Sequence, residues 1–229
     1  MGRMIRRSYH KPGLDIPIIC GSVWTGPVLR VGPGLEFTSI NTALNAYALP
    51  IPLLILLYPG TYSQAGMTVE RDVFIRGVGD CASIVLQYTD NSVGLFLKPR
   101  GFSLVENITV YRPSYTWKTS IRCEAVSGFT SFLMYNKCRF TTGADMYPVQ
   151  GSSPNTFIIR NCYIQRGYAH LHGFNLSNIR LQQCQLNDAL YCYQCTGSLI
   201  ENDCVTAATI GYGPGYGSYF ISGVDDPHF

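Results

Sequence analysis

Charge is what this chain has least of. Asp, Glu, Lys and Arg make up 14% of its 229 residues, against roughly 25% in an average soluble domain. The formal net charge of +3 is too small a field to hold a polyanion by itself, so nucleic acid is not an expected partner. Thirteen of the seventeen basic residues are Arg, which favours fixed, bidentate contacts over loose solvation. Long apolar runs are missing too. Leu49 to Tyr58 is the most apolar stretch, and Pro50 and Pro52 interrupt it far short of the about 20 residues of a membrane span. No secretory leader is expected: after Arg3, Arg6 and Arg7, the residues Pro12, Gly13 and Asp15 intervene before any adequate apolar run. Phosphate-binding Gly loops, nucleophile elbows and metal-binding helix motifs are absent, and no cofactor is expected.

What the chain has instead is a repeat. Leu104-Val-Glu-Asn-Ile-Thr-Val110, Met134-Tyr-Asn-Lys-Cys-Arg-Phe140, Ile158-Ile-Arg-Asn-Cys-Tyr-Ile164, Arg180-Leu-Gln-Gln-Cys-Gln-Leu186 and Ile200-Glu-Asn-Asp-Cys-Val-Thr206 align on their fifth residue. That position holds Ile108, Cys138, Cys162, Cys184 and Cys204, the cysteines standing 24 (138 to 162), 22 (162 to 184) and 20 (184 to 204) residues apart. Two residues on come Val110, Phe140, Ile164 and Leu186, with Thr206 breaking the series. Apolar residues two apart read as a strand with one buried face. A strand returning every 20 to 24 residues predicts a stacked solenoid, each turn covering the apolar face of the last.

The alignment also predicts an outward surface. Before the centre lie Asn107, Lys137, Asn161, Gln183 and Asp203; after it lie Thr109, Arg139, Tyr163, Gln185 and Val205. Amides, bases and one aromatic dominate, with a single carboxylate. Lys137, Arg139, Asn161, Tyr163 and Gln185 are therefore the candidate face for a protein partner or a glycan. Inward, Cys138, Cys162, Cys184 and Cys204 form a core ladder, where free Cys acts as a small buried hydrophobe. Cys192 and Cys195, with His170 and His172 upstream, offer ligand-like spacing for zinc. Packed thiols explain Cys184 and Cys204 more simply, and no metal is expected. The ladder favours reduced cysteines and a cytosol-like compartment. Two glycosylation triplets, Asn107-Ile-Thr109 and Asn175-Leu-Ser177, point the other way, but such triplets arise by chance.

In chain order, residues 1–33 read as a basic, extended arm, with Arg3, Arg6, Arg7 and Trp24 as its docking residues. Val31 to Tyr47 reads as a turn and a short amphipathic helix. Phe37, Ile40, Ala43, Leu44 and Tyr47 share one face, and Thr38 or Ser39 sits near the N-cap. Short buried strands ending in Gly, Pro or Asp follow, from Pro52 to Leu86. Residues 113–130 and 141–156 read as long loops between turns, with an excursion around Trp117. Residues 34–206 are thus the expected solenoid and 207–229 a Gly/Tyr-rich cap or arm, because an open apolar end must be covered.

The runs Pro33-Gly-Leu-Glu-Phe-Thr-Ser-Ile-Asn-Thr-Ala-Leu-Asn-Ala46, Ile55-Leu-Leu-Tyr-Pro-Gly-Thr-Tyr-Ser-Gln64 and Val69-Glu-Arg-Asp-Val-Phe-Ile-Arg-Gly-Val-Gly-Asp80 resemble the opening turns of pectinesterases and the wider pectin-lyase-like superfamily. The resemblance is close over residues 31–86 and generic over the rungs from 102 to 206. It implies an all-β fold: a single-stranded, right-handed parallel β-helix with an N-terminal capping helix and extended arms. The family's Gln-Asp-Thr-Leu and Asp-Phe-Ile-Phe-Gly motifs are absent, and its Gly-x-Tyr-x-Glu reads Gly60-Thr-Tyr-Ser-Gln64. A carboxylate pair roughly 5 to 9.5 Å apart is not offered by the rungs, nor is an acid cluster for a lyase-type calcium site. No catalytic residue is therefore assigned. Because the superfamily also serves viral spikes and fibres, the expectation is a structural or interaction protein. It would be a virion component such as a decoration, minor capsid or spike protein. Its partners would be copies of itself, a trimer first, and other assembly proteins. A carbohydrate-active or glycan-binding β-helix is the alternative.

Overall fold

A computed structural model describes residues 18–19, 22–47, 50–64, 66–88, 95–111, 121–124, 131–141, 145–149, 155–164, 169–172, 177–186, 190–193, 199–202, 205–206, 210–212 and 220–221. Three parallel sheets wind through them. The first sheet takes Val28–Val31, Leu53–Leu57, Val73–Gly77, Phe102–Glu106, Ser131–Asn136, Asn155–Arg160, Ser177–Gln182, Leu199–Asn202 and Phe220–Ile221, stacked in that order. The second runs from Gly60–Gln64 through Ile84–Tyr88, Thr109–Tyr111, Arg139–Phe140, Tyr163–Ile164 and Gln185–Leu186 to Val205–Thr206. The third runs from Met67–Val69 through Leu95–Leu97, Ile121–Glu124, Asp145–Val149, Ala169–His172 and Leu190–Tyr193 to Ile210–Tyr212. The chain visits first, second and third sheet in turn, then drops one strand spacing of about 4.8 Å and repeats. This is a parallel β-helix.

The stacking is in register, so one side chain lies over its counterpart in the next turn. Leu29, Ile55, Ile75, Val105, Tyr135, Ile159 and Leu181 form one inward column of the first sheet, and each is buried. Ser103 interrupts the neighbouring inward column between Val73 and Leu133, and its hydroxyl accepts from the Val73 amide at 2.9 Å. The buried oxygen is thus paired, as it must be. At the N-terminal end the helix Ile40–Asn45 closes the coil, with Ser39 as its N-cap and Ile40, Ala43 and Leu44 buried. Phe37 and Tyr47 pack against the same core, as the periodicity predicts.

Several boundaries differ from the sequence reading. Val28–Val31 already pairs with Leu54–Leu57, so the coil begins inside the stretch read as an arm. Ile121–Glu124 and Asp145–Val149 are third-sheet strands inside the stretches read as loops. Their short, mixed sequences lack the clean alternation that marks a strand, and parallel pairing from both neighbours supplies what propensity does not. Ile210–Tyr212 and Phe220–Ile221 likewise continue the third and first sheets. Trp117 lies outside the described residues. Among the described residues no helix is long and apolar enough to cross a membrane.

The repeat itself is a corner, not a strand. Four first-sheet strands end one residue before Asn107, Lys137, Asn161 and Gln183, and those four residues adopt φ of 58, 55, 53 and 54°. The left-handed conformation swings the chain from the first sheet to the second within two residues. Asn tolerates it; Lys and Gln carry a steric cost. Lys137→Asn should therefore raise stability by about 0.5–1 kcal/mol, read as an upward shift of the urea midpoint at constant slope. Gly77 is the opposite case. A Cβ there would stand 2.0 Å from the Asn107 carbonyl oxygen and 2.8 Å from Ile84 Cδ1. Gly77→Ala should cost at least about 3 kcal/mol, checked in the same urea titration.

Candidate functional site

The corner brings together most of the residues singled out by sequence. After each left-handed residue the next side chain turns inward: Ile108, Cys138, Cys162 and Cys184, all 0–2% exposed. None of the three cysteines is in a disulfide. Each thiol reaches a carbonyl of the turn before it, Cys138 that of Val105 at 3.5 Å, Cys162 that of Tyr135 at 3.7 Å and Cys184 that of Ile159 at 3.3 Å. Each also reaches the carbonyl two residues earlier, at 3.5, 3.2 and 3.4 Å. Sulfur is small enough for the corner and its weak donor suits carbonyls already engaged in the sheet. Burial pushes the Cys162 thiol well up, and the neighbouring Cys138 and Cys184 add to the shift.

Zinc would require thiolates, which this environment opposes. Among the described residues no three His, Cys, Asp or Glu are grouped to hold a metal. Cys195, Cys204 and the side chains of Cys192, His170 and His172 lie outside the described residues. Asn107 is not open to glycosylation in this fold, since its amide donates to the carbonyls of Gly77 at 3.0 Å and Gly79 at 2.8 Å.

Outside the corner, Thr109, Arg139, Tyr163 and Gln185 stack in register on the second sheet. The Arg139 guanidinium lies 5.5 Å from the centre of the Tyr163 ring, a cation–π contact. Lys137 and Asn161 sit on the corner, beside this column and not within it. Sequence reasoning placed both sets on one strand face; the left-handed residue divides them between a ridge and a sheet.

Five acids have described side chains, and four are occupied by architecture. Glu106 accepts from Arg76 Nε and Asn136 Nδ2, both at 2.8 Å, and the Asn136 side-chain oxygen accepts from Asn161 at 3.0 Å. This relay crosses turns along the ridge. Asp72 accepts from the backbone N–H groups of Arg100 and Gly101, each at 2.8 Å, fixing the start of the turn above. Asp80 caps the short 3-10 turn Cys81–Ser83, and Glu70 pairs with Lys98 at 3.0 Å. Tyr62, in the Gly-x-Tyr element, points inward and donates to the Val31 carbonyl at 3.0 Å. Burial raises its pKa. None of these groups is left poised for acid–base work.

One feature escaped the sequence reading. The outward face of the first sheet is apolar from turn to turn, with Val28, Leu54, Phe74, Leu104, Met134 and Ile158 in one column. Leu54, Leu56, Phe74 and Leu104 are buried in a second cluster on this outer side. Trp24 covers its start, packing edge-on to Phe74 at 4.9 Å, and Phe74 in turn meets Phe102 at 5.6 Å. Trp24 therefore docks on its own chain, while Arg3, Arg6 and Arg7 lie outside the described residues. Further along, Phe132 is 43% exposed. The available signal was Leu53–Leu57, five apolar residues without alternation, the mark of a strand covered on both faces.

No family model and no curated protein matches the chain. Among solved structures it is similar to the pectin methylesterase from Aspergillus niger. The penultimately deglycosylated form is 13% identical with a TM-score of 0.47, over 81% of this chain and 68% of that one. The deglycosylated form is 12% identical with a TM-score of 0.41, over 87% and 86%.

The ladder predicts masked thiols. In the native protein at pH 8, Cys138, Cys162 and Cys184 should resist a thiol reagent and react only once denaturant is added. The pH dependence follows from the raised Cys162 pKa. The folded state holds the proton more tightly than the unfolded, so the stabilisation is whole below the ordinary thiol pKa. It drains away as pH climbs from there toward the folded value. Urea midpoints should fall on that alkaline limb, and Cys162→Ala should flatten it.

Proposed function

We propose that this pectin-lyase-like β-helix is a non-catalytic interaction protein that assembles with copies of itself, as a component of a larger shell of the kind found in virions. The observation that carries the reading is the outer face of the first sheet. Its outward column is built of Val28, Leu54, Phe74, Leu104, Met134 and Ile158, with Phe132 exposed beside it. Leu54, Phe74 and Leu104 are covered within the chain itself, while Met134 and Ile158 are half-buried and Phe132 is exposed, so the stretch from Phe132 to Ile158 is the part that another surface would bury. The acids nearest this face, Asp72 and Glu106, are held by backbone amides and by Arg76 with Asn136. Reduced, carbonyl-bonded thiols support assembly in a reducing compartment.

A glycan-binding or carbohydrate-active β-helix is the second reading, favoured by the Arg139–Tyr163 stack with Gln185 in register beside it. Light scattering separates the two. The wild type should be a defined oligomer, a trimer first, and Phe132→Lys combined with Met134→Lys should give monomers with an unchanged circular dichroism spectrum. A wild-type monomer that releases methanol or unsaturated products from pectin would sink the assembly reading and establish the other.

A further inference from the structure

The ridge between the first and second sheets changes character along the coil. In the third turn it carries Glu106, already paired with Arg76. Over the next three turns it carries only bases, amides and a tyrosine. Row by row, the last outward residue of the first sheet, the corner residue and the first residue of the second sheet are Asn136, Lys137 and Arg139; then Arg160, Asn161 and Tyr163; then Gln182, Gln183 and Gln185. Rows lie about 4.8 Å apart. Arg180, in register with Ile158 on one side and Ile200 on the other, interrupts the apolar column of the first sheet and adds a base to the same flank. Lys137, Arg160 and Arg180 are exposed, and the two ion pairs among the described residues lie elsewhere, at Arg76–Glu106 and Lys98–Glu70. The next corner position in the sequence is Asp203, outside the described residues, so the basic field spans the fourth to sixth turns.

We propose that this ridge is a docking surface for a carboxylate-rich segment of a partner protein. Arg forks match carboxylates in bidentate geometry, and the interleaved amides of Asn161 and Gln183 can donate to the remaining oxygens or accept from the partner's backbone. The charge is too sparse for a nucleic-acid track, whose affinity grows with the number of phosphates neutralised. One face of Tyr163 is taken by Arg139, which removes the stacking platform a single strand would use. The surface adjoins the apolar face, with Arg180 in its column, but Lys137 and Arg160 are exposed on the chain itself, so the surface does not require assembly.

The test titrates a fluorescein-labelled oligoglutamate peptide with the full-length protein and reads anisotropy at several salt concentrations. Saturable binding that weakens with salt is expected. Arg160→Glu combined with Arg180→Glu should weaken it by at least about tenfold, while Arg30→Glu, at the far end of the coil, should leave it within a factor of about two. Thermal melts check that the double variant folds; Arg160→Gln with Arg180→Gln replaces it otherwise. Absence of saturable binding overturns the proposal. So does equal weakening by Arg30→Glu, which would mean a general charge effect. Binding to heparin with none to the peptide overturns it in favour of a sulfated glycan.

Discussion

The two-residue corner between the first and second sheets is the constraint on which the rest depends. A parallel coil must turn sharply without leaving amides unpaired in its wall. Here the left-handed residue donates its N–H to the turn above: Asn107 to Asn136, Lys137 to Arg160 and Asn161 to Gln182. The strand that follows donates to the turn below, Arg139 to Ile108, Tyr163 to Cys138 and Gln185 to Cys162. The hydrogen-bond ladder therefore runs unbroken around the bend. Because these four corners share one geometry, register is passed from each of those turns to the next, and with it the identity of the inward and outward columns. A one-residue slip at any corner would turn the core outward for every strand that follows.

The same corner explains why cysteine recurs there. The residue after the left-handed position faces a narrow space lined by carbonyl oxygens from two turns. Ile108 fills that space in one turn, and in the next three it is filled by Cys138, Cys162 and Cys184, whose sulfur also offers a weak donor. The ladder is a packing solution, and the raised Cys162 pKa is a consequence first of burial rather than a sign of reactivity.

The coil also divides its outer surface by chemistry. One flank of the first sheet is apolar and partly covered by Trp24. The adjoining ridge is neutralised through Glu106 in its early turns and basic in the later ones. Four of the five described acids serve the scaffold: Asp72 starts a turn, Asp80 caps one, Glu70 pairs with Lys98, and Glu106 ties three turns through Arg76 and Asn136.

By itself the sequence determined the repeat, the inward position of Ile108, Cys138, Cys162 and Cys184, the capping helix with Thr38 or Ser39 near its start, and the solenoid class. These are local or periodic properties, legible because burial imposes a period on one chain. The sequence did not separate Lys137 from Arg139, because a strand and a left-handed corner place polar residues at the same spacing. It hid the third-sheet strands Ile121–Glu124 and Asp145–Val149, whose partners lie one turn away in space and about 25 residues away in the chain. Only the tertiary structure set Leu54, Phe74, Leu104 and Met134 in one outward column, and gathered Lys137, Arg160 and Arg180 on one flank. Those neighbourhoods depend on the inter-turn register, a relation between turns that no single turn encodes.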